Sequence, residues 1–129
     1  MIDGDTLVVA GVRVRLLGID APEGKQSCAR DGVPWLCGQE AAKALRELVG
    51  SSTVSCVEHD RDPYKRSVSV CKLPDGTDLG SFMVSNGYAV AYVRYSKLYV
   101  EDEKKAREAK RGLWAGTFQM PWEWRRSKR

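Results

Sequence analysis

"VRVRLLGIDAPE", residues 12 to 23, decides how this chain is read. Val12, Val14 and Leu16 alternate with Arg13 and Arg15, which is the period of a strand with one apolar and one basic face. Past Leu16 both faces turn apolar, as in a strand of a closed barrel. The strand then ends in Asp20, Pro22 and Glu23, so it delivers a guanidinium (Arg15) and two carboxylates to one place.

Upstream, "LVV" at 7–9 and the turn Ala10-Gly11 complete a β-hairpin, with Gly11 free to take positive φ. Residues 24–38 read as a long polar loop. "GQEAAKALRELVG" places Ala41, Ala44, Leu45 and Leu48 at helical spacing and ends at Gly50. "STVSCVEH" and "RSVSVCKL" read as strands either side of "DRDPYK". "DLGSFMVSNG" predicts a short helix capped by Asp78 and ended by Gly87. "YAVAYVRY" reads as another strand. "YVEDEKKAREAKRG" reads as a helix with acids in its first turn and bases in its last. A β-barrel with helices packed on it fits this order, and the absence of repeats or linkers points to a single domain over 1–129.

The chain of 129 residues is long enough to bury one core without metal or disulfide staples. It contains no apolar run of transmembrane length and opens on no leader sequence. The net charge of +4 permits polyanion binding without requiring it, and part of the excess lies in the tail "WRRSKR", which reads as a solvated end. Without a Cys-x-x-Cys pair, and with His59 as the one histidine, a structural zinc site is disfavoured. His59 itself reads as a solvated residue. The even number of cysteines suggests disulfides and an oxidising compartment. Cys56 and Cys71 lie symmetrically about the turn at 62–65, which puts them opposite each other across a hairpin. The expected pairs are Cys56–Cys71 and Cys28–Cys37, the latter closing a short loop beside Glu23. Trp114, Trp122 and Trp124 read as cover for a core or pins for the tail.

Asp3 and Asp5 in "IDGDT", Asp20 with Glu23, and Arg66 in "DPYKR" are each ordinary taken singly: a turn, a loop acid, a surface arginine. Together with Arg15 they supply what phosphodiester cleavage needs. Arginines fork onto phosphate oxygens. Carboxylates hold a hard divalent cation where charge grows. A further carboxylate takes the proton of an attacking water.

"IDGDTL", "RLLGIDAPE", "DPYKR", "NGYAVAY" and "RGLW", in this order, closely resemble the staphylococcal nuclease (thermonuclease-like) family. The resemblance implies an α+β fold, a five-stranded OB-like β-barrel with three helices. It implies Ca²⁺-dependent hydrolysis of DNA and RNA. It implies Asp5 and Asp20 as carboxylate ligands of the metal, with the Ala21 backbone carbonyl as a further ligand. Glu23 corresponds to the general base, and Arg15 and Arg66 to the phosphate-binding pair. Tyr64 and Tyr92 correspond to aromatics of the nucleotide pocket, and Asp3 to an acid that shapes the site. Arg94 stands where the family has an aromatic and is expected to stack on a base or bind a phosphate.

Family members carry a strand before the first of these motifs, so the first strand is expected to be truncated. The open edge would permit domain swapping in what is otherwise expected to be a monomer. The disulfides imply a periplasmic or secreted location, the leader being absent from this chain. The alternative is a catalytically silent module of the same fold that binds nucleic acid or protein. Arg15, Glu23 and Arg66 are all present, and this favours the enzyme.

Overall fold

The computed structural model describes residues 3–128. The opening hairpin forms as its sequence dictates. Strand β1 (Thr6–Val9) pairs antiparallel with β2 (Val12–Leu16) in the register Thr6↔Arg15 to Val9↔Val12. The turn residues Ala10 and Gly11 both have positive φ, 50° and 79°, the geometry that matches the twist of the flanking strands. Val14 and Leu16 point into the core, whereas Val12, beside the turn, stays exposed.

The chain leaves this sheet at Gly18, whose φ of 77° excludes most side chains. The next two residues form β3 (Ile19–Asp20), which pairs with β8 (Val90–Ala91). A separate hairpin, β4 (Cys28–Arg30) and β5 (Val33–Trp35), turns at Asp31-Gly32. It corrects the reading of 24–38 as a long polar loop. Helix α1 (Cys37–Val49) follows, with Ala41 and Leu45 fully buried and Gly50 at its end. Strands β6 (Ser55–Arg61) and β7 (Ser67–Lys72) form the expected hairpin, and Cys56 faces Cys71 in its register. Strand β7 also runs parallel to β2, so the main sheet has the order β1-β2-β7-β6.

Asp78 caps helix α2 (Leu79–Ser85) by accepting from the Ser81 N–H, and the buried Tyr99 hydroxyl donates to the same carboxylate at 2.9 Å. Helix α3 (Val100–Glu108) begins with Glu101, Asp102 and Glu103 and ends near Lys105 and Arg107, complementing its dipole. A 3₁₀ turn over Gly112–Ala115 leads to helix α4 (Pro121–Ser127), which opens on proline at its first turn.

The expectation of a five-stranded OB-like barrel with three helices is thus corrected in its details. Among the described residues there are four α-helices, and the strands form one four-stranded and two two-stranded sheets that do not close. The strand expected over 88–95 shrinks to Val90–Ala91 for a local reason. The Ala91 N–H donates to the Glu103 carboxylate, and the Tyr92 carbonyl accepts from the N–H groups of Tyr95 and Ser96, so the chain turns instead of laddering.

The main apolar cluster gathers Leu7, Val14, Leu16, Ile19, Leu45, Leu79 and Met83 between the sheet and helices α1 to α3. A second cluster, Cys28, Cys37, Val90 and Leu113, is covered by Trp35, Trp114 and Trp122. Both expected disulfides are present, Cys28–Cys37 and Cys56–Cys71, with Cα separations of 5.7 and 4.1 Å. The first ties β4 to the start of α1, and the second crosses the β6–β7 hairpin.

Loops this short lose entropy in the unfolded chain when they are cross-linked, so each bond is expected to contribute about 2–3 kcal/mol. Replacing Cys28 and Cys37 together by Ser is therefore expected to lower the unfolding free energy by that amount and to steepen the urea slope, because the unfolded chain expands without the cross-link. Unfolding curves of the oxidised parent and the variant check it.

Candidate active site

The site is built where β2 and β3 end. Arg15 is the last residue but one of β2, and its guanidinium reaches two acids. Nη1 lies 2.6 Å from Asp5 Oδ2, off the line of a directed hydrogen bond, and Nη2 lies 3.4 Å from Asp20 Oδ1. Burial opposes the charge on Arg15, but Asp5 and Asp20 outweigh it and raise its pKa. Asp5 also acts as a clasp. Its Oδ2 accepts the Ala21 N–H at 2.9 Å and its Oδ1 accepts the Thr6 hydroxyl at 3.0 Å. The carboxylate thereby holds the strand end at 20–21 beside the first hairpin.

Glu23 is positioned by its backbone. Its N–H donates to Gln26 Oε1, and its carbonyl accepts the Gln26 N–H at 2.8 Å. Gln26 is fully buried and donates from Nε2 to the Gln119 carbonyl at 2.7 Å. Helix α1 presses against this loop, because a Cβ at Gly38 would collide with the Glu23 carbonyl oxygen. Nothing bulkier than glycine fits there, and the Cys28–Cys37 bond fixes the same helix end.

Asp20 has no exposure to water. Its partner, besides Arg15, is Arg125 of α4. The Arg125 guanidinium forks onto Asp20, Nη1 to Oδ1 at 2.8 Å and Nη2 to Oδ2 at 2.9 Å. The same Nη1 donates to Glu23 Oε1 at 2.9 Å. These bonds raise the Arg125 pKa. Burial pushes the Asp20 carboxyl upward. The Arg125 hydrogen bonds oppose that push, Asp5 adds to it, and the net direction is up. The sequence reading missed both Arg125 and Gln26. Arg125 lies in the tail read as solvated, although Pro121 ahead of two tryptophans was a legible helix start.

The charges do not balance. Asp3, Asp5, Asp20 and Glu23 face Arg15 and Arg125, four carboxylates against two guanidiniums. Asp3 registers the surplus. Burial first, then repulsion from Asp5 and Glu23, raises its pKa to about 6. A donor set of hard oxygens with surplus negative charge fits a hard divalent cation. Among the described residues, however, no three acidic, histidine or cysteine side chains converge as a ready-made cage. The oxygens of Asp20 are engaged by guanidinium instead.

Beside the carboxylates lies a cleft of about 490 Å³. Arg15, Asp60, Asp62, Tyr92 and Tyr95 are among the residues that line it. Tyr92 meets Tyr95 edge-on at 5.0 Å and stacks on Trp122 of α4 at 5.1 Å with an 8° interplanar angle. The structure brings Asp5, Arg15, Asp20, Ala21 and Glu23 together, with Tyr92 close by along the cleft. It keeps Arg66 and Tyr64 on the turn after β6, outside the cleft lining. There Arg66 Nε donates to Asp62 Oδ2 at 2.6 Å, and its guanidinium lies 5.6 Å from the centre of the exposed Tyr64 ring. Arg94 is exposed and also outside the lining.

The comparison with known proteins fits this geometry. The family described as staphylococcal nuclease homologue matches residues 13–116. The chain belongs to the staphylococcal nuclease family. Its fold is the OB-like fold of that family, with strands that do not close among the described residues. The chain is 36% identical to an "Uncharacterized endonuclease" of Escherichia coli O157:H7, over 99% of this chain and 82% of the relative. It is 35% identical to a "Micrococcal nuclease" of Shigella flexneri, over 100% of this chain and 79% of the relative. It is 37% identical to "Succinoglycan biosynthesis protein ExoI" of Rhizobium meliloti, over 88% of this chain and 61% of the relative.

The Asp62 turn is separately testable. Besides Arg66 Nε, Asp62 accepts the N–H groups of Tyr64 and Arg66, each at 2.9 Å. Partial burial would raise the Asp62 carboxyl, but these bonds and the Arg66 charge outweigh it and hold it below the usual range. A lowered carboxyl contributes stability above the ordinary carboxylate range and loses it as pH falls through the folded pKa. Asp62→Ala is expected to cost about 1–2 kcal/mol at pH 7. The gap to the parent should close progressively below about pH 4, in urea titrations at a series of pH values.

Proposed function

We propose that the protein is a Ca²⁺-dependent nuclease that hydrolyses phosphodiester bonds of DNA and RNA. The observation that carries this is the meeting of Arg15, Asp5, Asp20 and Glu23 where β2 and β3 end, beside a cleft lined in part by Tyr92 and Tyr95. The names of the relatives, endonuclease and micrococcal nuclease, support the same class.

In this reading Asp5, Asp20 and the Ala21 carbonyl hold the metal. When bound, a hard divalent cation neutralises charge growing on the phosphoryl oxygens. The chain's own residues do the rest. Arg15 binds a phosphate oxygen through its planar fork, and its neighbours keep it charged in a buried place. Glu23 receives the proton of the attacking water on a carboxylate oxygen, and the Gln26 loop fixes where that oxygen stands. Arg66, once it leaves Asp62, binds the phosphate from the other side. Tyr92 and Tyr64 stack on or flank the base, and Arg94 contacts the strand beyond the cleft.

The 129 residues act as one domain and as a monomer. The two disulfides suit a periplasmic or secreted location, since such bonds rarely persist in the cytosol. Among the described residues no helix is long and apolar enough to cross a membrane.

A digest of plasmid and single-stranded DNA tests the reaction. Cleavage with Ca²⁺ and none with excess chelator is expected. Undiminished cleavage in chelator refutes the metal assignment, and no cleavage in either leaves the silent binding module as the better account.

Single variants test the roles. Glu23→Gln keeps the shape but cannot accept the proton, so kcat should fall at least ~10²-fold while substrate binding holds. Arg15→Lys and Arg66→Lys keep charge but lose the fork, and both should fall steeply in kcat/KM. Steady-state kinetics on a short labelled oligonucleotide would reveal a parental rate in any of them, which removes that residue from its role.

A further inference from the structure

Helix α4 sits on two parts of the site at once. Arg125 holds both oxygens of Asp20 and one of Glu23. One turn earlier, Trp122 lies flat on Tyr92. The first contact covers the carboxylates where a cation would bind, and the second covers an aromatic face where a nucleic-acid base would stack. The spacing of three residues puts both anchors on one side of a helix.

We propose that α4 is a displaceable strap: Arg125 stands in for the divalent cation and Trp122 for the base, so cation and strand bind only as the helix lifts away. This inference rests on the reading of Asp20 as a cation ligand.

Charge makes the two occupants exclusive. Asp20 already receives the Arg125 fork and contact from Arg15. A divalent cation on the same oxygens would sit within a few ångströms of the Arg125 guanidinium, and Arg125 already takes both oxygens of the buried Asp20. The helix itself is built to move. It has seven residues, too few to persist without its packing. The chain just before it is anchored separately, where the Gln119 carbonyl accepts from buried Gln26. Arg125 is about one-third exposed while Asp20 is fully covered, so the strap can be approached from solvent.

A protein that must open before it binds shows an affinity reduced by the fraction that is open. Weakening either anchor should therefore tighten cation binding. The experiment is calorimetric titration of Ca²⁺ into the metal-free parent, Arg125→Ala and Trp122→Ala, each first shown to be folded by thermal melting. Both variants are expected to bind Ca²⁺ about tenfold or more tightly than the parent. In the parent, Ca²⁺ should also expose the bonds after Arg125 and Arg126 to trypsin and abolish the near-ultraviolet circular dichroism of the Trp122–Tyr92 stack.

Trp122→Ala is the decisive arm, because it leaves every charge in place. Tightening by Arg125→Ala alone would mean simple loss of a nearby positive charge and would overturn the strap. Parental affinity in both variants, or Ca²⁺ bound with no change in trypsin cleavage, would overturn it as well. No Ca²⁺ binding by any of the three proteins would refute the cation reading itself, and the strap with it. Should Arg125→Ala fail to fold, the tryptophan variant and the trypsin assay on the parent still decide.

Discussion

A carboxylate sealed from water cannot stay ionised alone, and the site is organised around that constraint. Asp20 has no exposed surface, and desolvation disfavours its charge. The surrounding cations answer this from opposite ends of the chain, Arg15 from β2 and Arg125 from α4. Arg15 is itself buried and needs Asp5 as much as Asp20 needs Arg15. Asp5 in turn fixes the strand end through the Ala21 N–H. Asp20 and Arg15 each have two partners of opposite charge, so the network shares its charges instead of resting on single pairs.

Much of the frame was legible in the sequence because it is set by short-range rules. The alternation of Val14, Arg15 and Leu16 gave the strand and its faces. The symmetric placing of Cys56 and Cys71 gave the hairpin register that the disulfide then spans. Asp78 and Gly87 bracketed α2 as cap and stop. What failed had two other causes, a side chain from the next helix and strands too short to show a pattern. The pattern "YAVAYVRY" has strand character, but the Glu103 carboxylate captures the Ala91 N–H and the ladder ends. The hairpin at 28–35 carried an Asp-Gly turn signal, yet its strands of three residues are too short to show a period.

The candidate site was half legible for the same reason. Its acids and Arg15 lie within residues 3–23, and chemistry alone groups them. Their supports do not lie there. Gln26 is a polar residue in a polar stretch, and only the fold reveals that it is buried and bonded to Gln119. Arg125 lies over a hundred positions from the carboxylates it binds, in a basic tail whose default reading is solvation.

Arg66 and Arg125 make an instructive contrast, since each is an arginine engaged by an acid. Arg66 pairs with Asp62 within one turn, and both side chains keep some exposure, 24% and 15%. Asp62 also accepts the N–H groups of Tyr64 and Arg66, so it keeps partners even without the guanidinium. Arg125 instead completes the charge of an acid with no access to water, and its departure must be matched by another cation at the same oxygens. The two guanidiniums thus differ in what each would leave behind: an acid with backbone partners in the one case, a fully buried acid in the other. In the function proposed above, metal and phosphate bind through separate exchanges of ion pairs, and the metal exchange carries the higher threshold because its acid, Asp20, is fully buried.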